Sequence, residues 1–271
     1  MRILLCNDDG IQAHGLWVLY KILKNLGTVI VVAPTEEKST TGHSLTLHKP
    51  LRVIQYPRLG KNFYGVTGSP ADCVNLGVRE LMKQKPDWIV SGINRGANLG
   101  QDVYYSGTVS AAREAAMMGF RAMAISLVVD FKKPKPETEL HFETAAKLSR
   151  KLVQQFNDVK LPYGTVLNLN VPDVREKDVK GLRLAFQGFR HYSGGIWKRR
   201  DHRGKDYFWV GGTYSGFKNE KGTDCYDTNR GYATLTPLEM DCTDHRLLAK
   251  FGRMFPQMSS EPPRKMPKGP V

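Results

Sequence analysis

Two adjacent carboxylates, Asp8 and Asp9, are the side chains near the start of the chain that are best suited to chemistry. They follow an apolar run over residues 1–6 that predicts a buried strand, and Gly10 after them permits a turn. Because neighbouring strand residues point to opposite faces, both carboxylates reach one ion only where the chain already turns at Asp9. Such a pair suits a hard cation such as Mg²⁺ or Mn²⁺. The alternative is that an aspartate caps the following helix.

Two further polar loops follow predicted strands. Residues 34–48 contain Ser39, a hydroxyl that could complete a metal shell or contact phosphate. Residues 91–100 contain Asn94, a neutral oxygen ligand, and three glycines at a spacing of four. That spacing matches neither the dinucleotide-binding fingerprint nor a P-loop, so a nicotinamide cofactor and a Walker-type ATPase are both poorly supported. Taken singly, each segment is also explained as an ordinary polar loop or turn.

Ser106, Gly107 and Thr108 open a stretch rich in alanine that predicts a helix. Hydroxyls, free backbone N–H groups and the positive end of the helix dipole together favour phosphate binding at such a start. A Ser/Thr cap without a ligand is the alternative at this position.

Apolar stretches of strand length alternate with amphipathic stretches of helix length over the first 180 residues. The predicted strands lie at 1–6, 28–33, 87–90, 122–129 and 166–171, and the predicted helices at 16–26, 71–82, 110–118 and 140–156. This alternation predicts an α/β fold, a Rossmann-like three-layer α/β/α arrangement around a mostly parallel sheet. Ligands bind beyond the carboxyl ends of strands in such sheets, the edge where the polar segments fall.

The pattern changes after residue 180 to short β-type runs rich in Gly, Tyr and Trp, among them 183–186 and 207–210, which predict hairpins. We predict an α/β core with the metal and phosphate site over 1–180. Residues 181–257 would be an extension with an appended β-hairpin and a C-terminal oligomerisation element. The proline-rich, basic segment 258–271 would be a mobile tail.

Composition excludes several classes of protein. With 271 residues, 41% hydrophobic and 24% charged, the chain is typical of a soluble globular protein and not of a disordered or coiled-coil one. Its four cysteines form no C-x-x-C pair, which indicates free thiols in a reducing compartment. No signal-peptide pattern is present and no apolar run approaches the ~20 residues of a membrane span. We therefore expect a cytoplasmic protein with no membrane partner.

A net charge of +14 raises the alternative of a polyanion-binding protein. Residues 1–130 carry 14 basic and 10 acidic side chains, whereas residues 131–271 carry 26 and 16, so most of the excess lies in the second half. The basic run in the region 190–205 is flanked by aromatic residues, a pattern that can bind single-stranded nucleic acid. A solvated hairpin would explain the same run.

Taken together in order and spacing, the polar segments resemble the survival protein E (SurE) family of nucleotidases. The resemblance covers about residues 2–250. It rests on the Asn-Asp-Asp-Gly run at 7–10, Ser39, the turn at 68–74, the loop at 91–100 and the Tyr-Ser-Gly-Thr-Val run at 105–109, and it extends to the segments 200–209 and 231–238.

The resemblance implies a divalent-metal-dependent phosphatase that hydrolyses nucleoside 5′- and 3′-monophosphates to nucleoside and phosphate, sometimes with action on short polyphosphate. Asp8 and Asp9 would be the catalytic residues. One cation per subunit, Mg²⁺ or Mn²⁺, would be held by Asp8, Asp9, Ser39 and Asn94. Phosphate would be bound by Ser39, Asn94, Ser106, Gly107 and Thr108. A homodimer or homotetramer is also implied, with the hairpin region at its subunit contacts.

The charge of this ligand set suits a phosphate ester. Two carboxylates and one divalent cation form a locally neutral cluster, because the hydroxyl and amide ligands carry no charge. A phosphate monoester dianion could then approach with little repulsion. We expect a metal-activated water to attack phosphorus, with Asp8 or Asp9 as proton acceptor. Attack by a carboxylate to form an aspartyl-phosphate is the competing chemistry.

Overall fold

The computed structural model describes residues 1–258, and its centre is a nine-stranded sheet. The strands are β1 (Arg2–Cys6), β2 (Thr28–Pro34), β3 (Val53–Gln55), β4 (Phe63–Val66), β5 (Trp88–Arg95), β6 (Arg121–Val128), β7 (Val166–Pro172), β8 (Leu182–Leu184), β9 (Arg190–Ser193), β10 (Ile196–Arg200), β11 (Asp206–Val210), β12 (Thr213–Phe217) and β13 (Ala233–Leu238). The helices are α1 (His14–Leu23), α2 (Pro70–Leu76), α3 (Gly107–Met117), α4 (Phe142–Gln155), α5 (Asp224–Asn229) and α6 (His245–Met254).

The strand order of the sheet is β3-β4-β2-β1-β5-β6-β7-β13-β8. The six strands from β4 to β7 in this order are parallel to their neighbours, whereas β3 and β13 run antiparallel to β4 and β7. β8 pairs parallel with β13 at the edge. The prediction of a mostly parallel, Rossmann-like α/β/α sheet is therefore confirmed.

Two apolar layers cover the faces of the sheet. Adjacent strand residues supply opposite layers, since Leu5 packs with the α1 and α4 side chains and Leu4 with those of α2 and α3. Strands buried on both faces need continuous apolar runs, which is why β1 and β6 contain almost no polar residue inside the sheet. Within residues 1–258, no helix is long and apolar enough to cross a membrane.

Strand β5 continues past its predicted end at residue 90 and reaches Arg95. Its pairing with β6 shifts register between Ser91 and Asn94 and then resumes. The glycine and polar residues of this segment hide the continuation, because the apolar run stops at Val90. Asn94 consequently lies near the end of a strand and not in the loop beyond it.

The segment after residue 180 contributes to the central sheet as well as to an appended arm. The run predicted as a hairpin at 183–186 begins with β8, which pairs with β13 at the edge of the central sheet and forms no hairpin. The arm consists of the β9–β12 and β10–β11 antiparallel pairs, and every residue of β10 and β11 is exposed. Of the predicted tail 258–271, only Met258 lies within the described residues. The division of the chain at residue 180 stays a prediction.

Candidate functional site

The acidic pair lies at the carboxyl edge of the sheet, where the strand order reverses. β2, the next strand after β1 in the chain, lies on one side of β1, and β5 lies on the other. In open α/β sheets this reversal leaves a crevice in which ligands bind. Asp8 and Asp9 follow β1 after Asn7, and Asn94 is the last residue but one of β5, so the fold brings both segments to this crevice.

A closed turn holds the acidic pair in place. The Asn7 side chain donates to the Gly10 carbonyl at 2.9 Å and accepts from the Gly10 N–H at 3.2 Å. Gly10 has φ of 100°, a conformation that other residues rarely adopt, which confirms its role in the turn. Helix α1 begins at His14 with Ala13 as N-cap, so neither aspartate caps it. The helix-cap alternative for the pair is excluded.

Asp8 is buried against the start of α3. Only 4% of the residue is exposed, and its Oδ1 accepts a hydrogen bond from the Thr108 hydroxyl. A Cβ added to Gly107 would lie 2.6 Å from the Asp8 Cβ, so the helix can approach this closely only because residue 107 is glycine. Burial raises the pKa of Asp8 despite the hydrogen bonds from Thr108, which act in the opposite direction.

Asp9 is partly exposed beside Asp8, and its Oδ2 accepts from the Arg95 backbone N–H at 3.3 Å. Burial, and next the neighbouring charge of Asp8, raise the pKa of Asp9 to about 7. Glu37 adds to this repulsion at both carboxylates. The site thus concentrates negative charge where solvent stabilises it poorly, a condition that a bound cation would relieve.

Ser39 and Asn94 are each next in sequence to a residue whose backbone N–H donates a hydrogen bond to the acidic pair. The Lys38 N–H donates to the Asp8 carbonyl at 2.8 Å, which brings the loop carrying Ser39 to the turn. The Ser39 hydroxyl donates to Glu37, so its lone pairs stay available. The Asn94 amide donates to the Gly96 carbonyl at 2.9 Å, which leaves its Oδ1 as an acceptor. These two residues are therefore equipped as neutral oxygen ligands.

The sequence predicted that the hydroxyls at the start of α3 would bind phosphate, but both make hydrogen bonds within the protein. Ser106 is the N-cap, and its Oγ accepts from the Val109 N–H at 3.0 Å. The Thr108 hydroxyl is committed to Asp8. The donors left for a phosphate are the Ser106 O–H and the backbone N–H groups of Gly107 and Thr108, which have no acceptor inside the helix.

A second set of contacts, missed by sequence reasoning, ties the Ser39 loop to the helices. His43 Nε2 lies 2.8 Å from Glu114 Oε2 on α3, and the Asn75 side chain on α2 donates to Glu114 Oε1 at 2.6 Å. Glu114 is buried, and these hydrogen bonds hold the pKa of its carboxyl below the ordinary value. Seventy-one residues separate His43 from Glu114, and no local pattern links them. Glu37 was missed for the same reason.

The donor set fits a hard divalent cation. It consists of carboxylate, hydroxyl and amide oxygens from the four residues Asp8, Asp9, Ser39 and Asn94, the ligand types that Mg²⁺ and Mn²⁺ prefer. Over residues 1–258, no group of three or more His, Cys, Asp and Glu side chains is placed to hold a metal. A site at this edge would therefore depend on the neutral ligands as well as on the two carboxylates.

A carboxylate pair and a helix N-terminus at the switch point of a parallel sheet define an α/β protein with a polar crevice at the carboxyl edge of its sheet. Comparison with known proteins narrows this class. The family model described as survival protein SurE matches residues 3–194. This match covers more than half of the chain, which therefore belongs to the SurE family.

Two named relatives and a solved structure each match more than nine-tenths of the chain. A protein named 5′-nucleotidase SurE from Geotalea daltonii is 45% identical over 249 residues, covering 92% of this chain and 97% of its own. Another of that name, from Natranaerobius thermophilus, is 42% identical and covers 91% of this chain and 96% of its own. The crystal structure of a SurE protein from Aquifex aeolicus matches with a TM-score of 0.79 at 37% identity, covering 94% and 99% of the two chains.

Proposed function

We propose that this protein is a divalent-metal-dependent phosphatase that hydrolyses nucleoside 5′-monophosphates to nucleoside and phosphate. The observation that carries the proposal is the contact between Asp8 and the start of α3, which puts an acidic pair and a set of helix N–H donors side by side. A cation and N–H donors both stabilise the charge on the oxygens of a phosphate ester in its transition state. The names of the relatives, 5′-nucleotidase SurE, support the same substrate class.

In this proposal the acidic pair holds the cation together with Ser39 and Asn94. Thr108 fixes the rotamer of Asp8 by donating to it, and the Arg95 N–H does the same for Asp9. When bound, Mg²⁺ or Mn²⁺ supplies Lewis acidity toward the phosphoryl group and neutralises the charge of the two carboxylates. One cation per subunit is sufficient for this ligand set.

The start of α3 receives the phosphate. Gly107 has no side chain to block the approach, and the backbone N–H groups of Gly107 and Thr108 have no acceptor inside the helix, which leaves them for an anion. The helix dipole and these donors stabilise the charge that develops on the phosphoryl oxygens in the transition state. Ser39 and Asn94 would contact both the cation and the phosphate.

Water is the nucleophile that the site favours, with Asp9 as its proton acceptor. Asp8 is enclosed by Gly107 and Thr108, which leaves little room for attack on phosphorus from its carboxylate. Asp9 is more exposed than Asp8, so a water molecule can lie beside its carboxylate and transfer a proton to it. Acid quench during turnover should trap no phosphorylated Asp8 or Asp9, and trapping one would replace water with an aspartyl-phosphate route.

Three further parts of the proposal concern the range of substrates, the location and the assembly of the protein. We extend the substrates to 3′-monophosphates and short polyphosphate, because backbone N–H donors contact phosphate and not the sugar or base. The four free cysteines support a cytoplasmic location. The exposed Ile196, Trp197, Phe208, Trp209 and Val210 of the arm and the apolar side chains of α6 support a homodimer or homotetramer.

A metal-screened assay tests the proposal. Phosphate release from a panel of 5′- and 3′-monophosphates and polyphosphate is measured with Mg²⁺, with Mn²⁺ and after chelation. We expect release from 5′-monophosphates that a chelator abolishes and either metal restores. Release that persists in chelator refutes the metal dependence, and absence of release with every metal refutes the activity.

The competing function, binding of single-stranded nucleic acid by the region 190–205, has weaker support. Lys198 and Arg200 both pair with Asp206, at 2.6 and 3.1 Å, and Arg190 pairs with Asp102 at 2.5 Å. These pairs reduce the positive charge that the basic run offers a polyanion. Salt-dependent oligonucleotide binding without hydrolysis is the result that would favour this alternative.

A further inference from the structure

The loop that carries Ser39 has almost no apolar anchor of its own. None of the residues 35–48 is buried, and Ser39 and Thr40 are exposed. Hydrogen bonds must therefore hold this loop against the rest of the protein, because burial of its side chains contributes little. On one side of Ser39, the anchor is the bond from the Lys38 N–H to the Asp8 carbonyl, at 2.8 Å.

Thr40, the residue after Ser39, has an unfavourable backbone conformation. Its φ is 57°, and within residues 1–258 it is the one residue other than glycine whose φ lies in the left-handed region. A β-branched residue rarely adopts this conformation, which persists only where surrounding contacts hold it. If the loop were free to relax, Thr40 would return to negative φ and the direction of Ser39 would change.

A contact between His43 and Glu114 anchors the loop on the other side of this turn. His43 Nε2 lies 2.8 Å from Glu114 Oε2, and the two side chains are 24% and 11% exposed. The Asn75 side chain donates to the other carboxylate oxygen at 2.6 Å, so the carboxylate is fixed from both sides. A hydrogen bond to a largely buried carboxylate is stronger than one between neutral groups. This contact is therefore strong enough to help hold a strained turn.

Glu114 also connects the loop to the helix that begins at the proposed phosphate site. It lies on α3, about two turns beyond Gly107. The first turn of the same helix contacts Asp8 through the Thr108 hydroxyl. One rigid helix thus contacts the acidic pair, offers N–H donors to phosphate and holds the loop that carries Ser39.

We propose that His43 and Glu114 are positioning residues of this site. Their contact holds the strained turn at Thr40 and thereby keeps Ser39 in place beside the acidic pair, where its hydroxyl completes the cation site. This role rests on the proposed function, because the placement of Ser39 matters only where Ser39 is a ligand. His43 and Glu114 act through Ser39 and need no contact of their own with the cation or the substrate.

Calorimetric titration with Mn²⁺ tests this role in His43→Ala. We expect the dissociation constant for Mn²⁺ to rise about 10-fold relative to wild type, because Ser39 is no longer held. The thermal midpoint should stay nearly unchanged, since the loop is exposed. His43→Gln keeps an N–H donor and should recover most of the lost affinity. Unchanged Mn²⁺ affinity in His43→Ala, with or without a lower midpoint, overturns the proposal.

The matched control is His48→Ala, which removes an exposed histidine at the far end of the same loop. It should bind Mn²⁺ as wild type does, and equal losses in the two histidine variants overturn the proposal.

A second variant, Thr40→Gly, tests the strained turn. Glycine adopts positive φ at little steric cost. Added to His43→Ala, it should therefore recover about 3-fold in Mn²⁺ affinity. A double variant that binds as weakly as His43→Ala overturns the role of the turn.

Hydrogen exchange at the Lys38 N–H separates this role from the proposed function, because the measurement needs neither metal nor substrate. The bond to the Asp8 carbonyl protects this N–H in wild type, and exchange should be about 10-fold faster in His43→Ala. Wild-type protein that binds no Mn²⁺ refutes the proposed metal site, whereas faster exchange in His43→Ala still shows that His43 holds the loop. Equal exchange in the two proteins overturns the positioning role.

Discussion

The carboxyl edge of the sheet and the arm formed by β9 to β12 differ in the sign and in the burial of their charged side chains. At the edge, Asp8 is buried, Asp9 is partly buried, and the fold holds both at raised pKa values. On the arm, Lys198 and Arg200 are exposed and share Asp206, so the carboxylate offsets part of their charge and solvent stabilises the rest. Exposed pairs contribute at most about 1 kcal/mol, whereas an uncompensated buried charge costs far more. The net charge of +14 therefore reflects exposed side chains on the arm and elsewhere on the surface. The properties of the site depend instead on the burial of two carboxylates.

Replacement of either aspartate should have the largest effect. Asp8→Asn and Asp9→Asn each remove a charged group from the proposed ligand set, and we expect nucleotidase turnover to fall by ~1,000-fold or more at saturating metal. The matched control is Asp87→Asn, at the other end of the sheet, where the carboxylate pairs with Arg2 at 2.8 Å. Phosphate release is the measurement, with circular dichroism to confirm folding. Near-normal turnover in either site variant would remove that residue from the proposed ligand set.

Close packing at the edge is tested by a pair of glycine substitutions. Gly107→Ala places a Cβ 2.6 Å from the Asp8 Cβ, so the helix must shift. We expect about a 100-fold loss of turnover and about 1–3 kcal/mol of lost stability. Gly195→Ala on the arm has no atom within 4 Å of the new Cβ. Its stability should stay within about 0.5 kcal/mol of wild type. Equal effects of the two substitutions would contradict the contrast between edge and arm.

The raised pKa of Asp9 predicts a pH dependence of stability in metal-free protein. Its pKa is about 7 in the folded state against an ordinary 3.8, so the protonated carboxyl favours folding. That contribution is complete below pH ~4 and is lost as pH rises through 7. Asp9→Asn should therefore raise the thermal midpoint by about 3 °C or more at pH 8, with little change at pH 4.

Asp87→Asn is the control variant, because its effect on the thermal midpoint should have the opposite sign. The hydrogen bond from Arg2 holds the pKa of Asp87 below its ordinary value, so its contribution is present above pH ~4 and is lost in acid. Its substitution should lower the midpoint at pH 8, not raise it. Scanning calorimetry at the two pH values distinguishes the outcomes, and a lower midpoint for Asp9→Asn at pH 8 would contradict the electrostatic account of the site.

The smallest effect on catalysis is expected from the arm. Trp209 is 61% exposed and lies opposite Trp197 in the β10–β11 pair. Trp209→Ser should leave turnover per subunit and the thermal midpoint nearly unchanged while reducing the mass of the proposed homo-oligomer. Sedimentation velocity measures the mass. An assembly of unchanged mass would show that this tryptophan is not at a subunit contact.

The position of the site was predictable because strand endings are local features. The apolar run before Asp8 and the alternation of strand and helix predict which residues meet at the carboxyl edge, and the structure places Asp8, Asp9 and Asn94 there. The catalytic and ligand roles of these residues stay predictions. The commitment of the Thr108 hydroxyl to Asp8 was not predictable, because 100 residues separate the two and the pairing depends on how α3 packs.

The edge strand β8 and the end of β5 were harder to predict from the sequence. β8 has three exposed residues and pairs with a strand that begins 49 positions after its last residue, so no local pattern shows that it joins the sheet. The continuation of β5 was hidden by its glycine and polar residues. Pairing energy between distant segments decides these features, and local propensity carries little information about it.

The sheet order also sets the sequence in which the chain can assemble. β13 lies between β7 and β8, although β8 is synthesised first. As the chain leaves the ribosome, the six parallel strands can pair before β8 has a partner. Translation must pass Leu238 before β13 can pair with β7 and β8 can join the sheet beside β13. A chain cut short before Ala233 therefore loses two strands of the sheet instead of one, and it exposes the long edge of β7 to other chains.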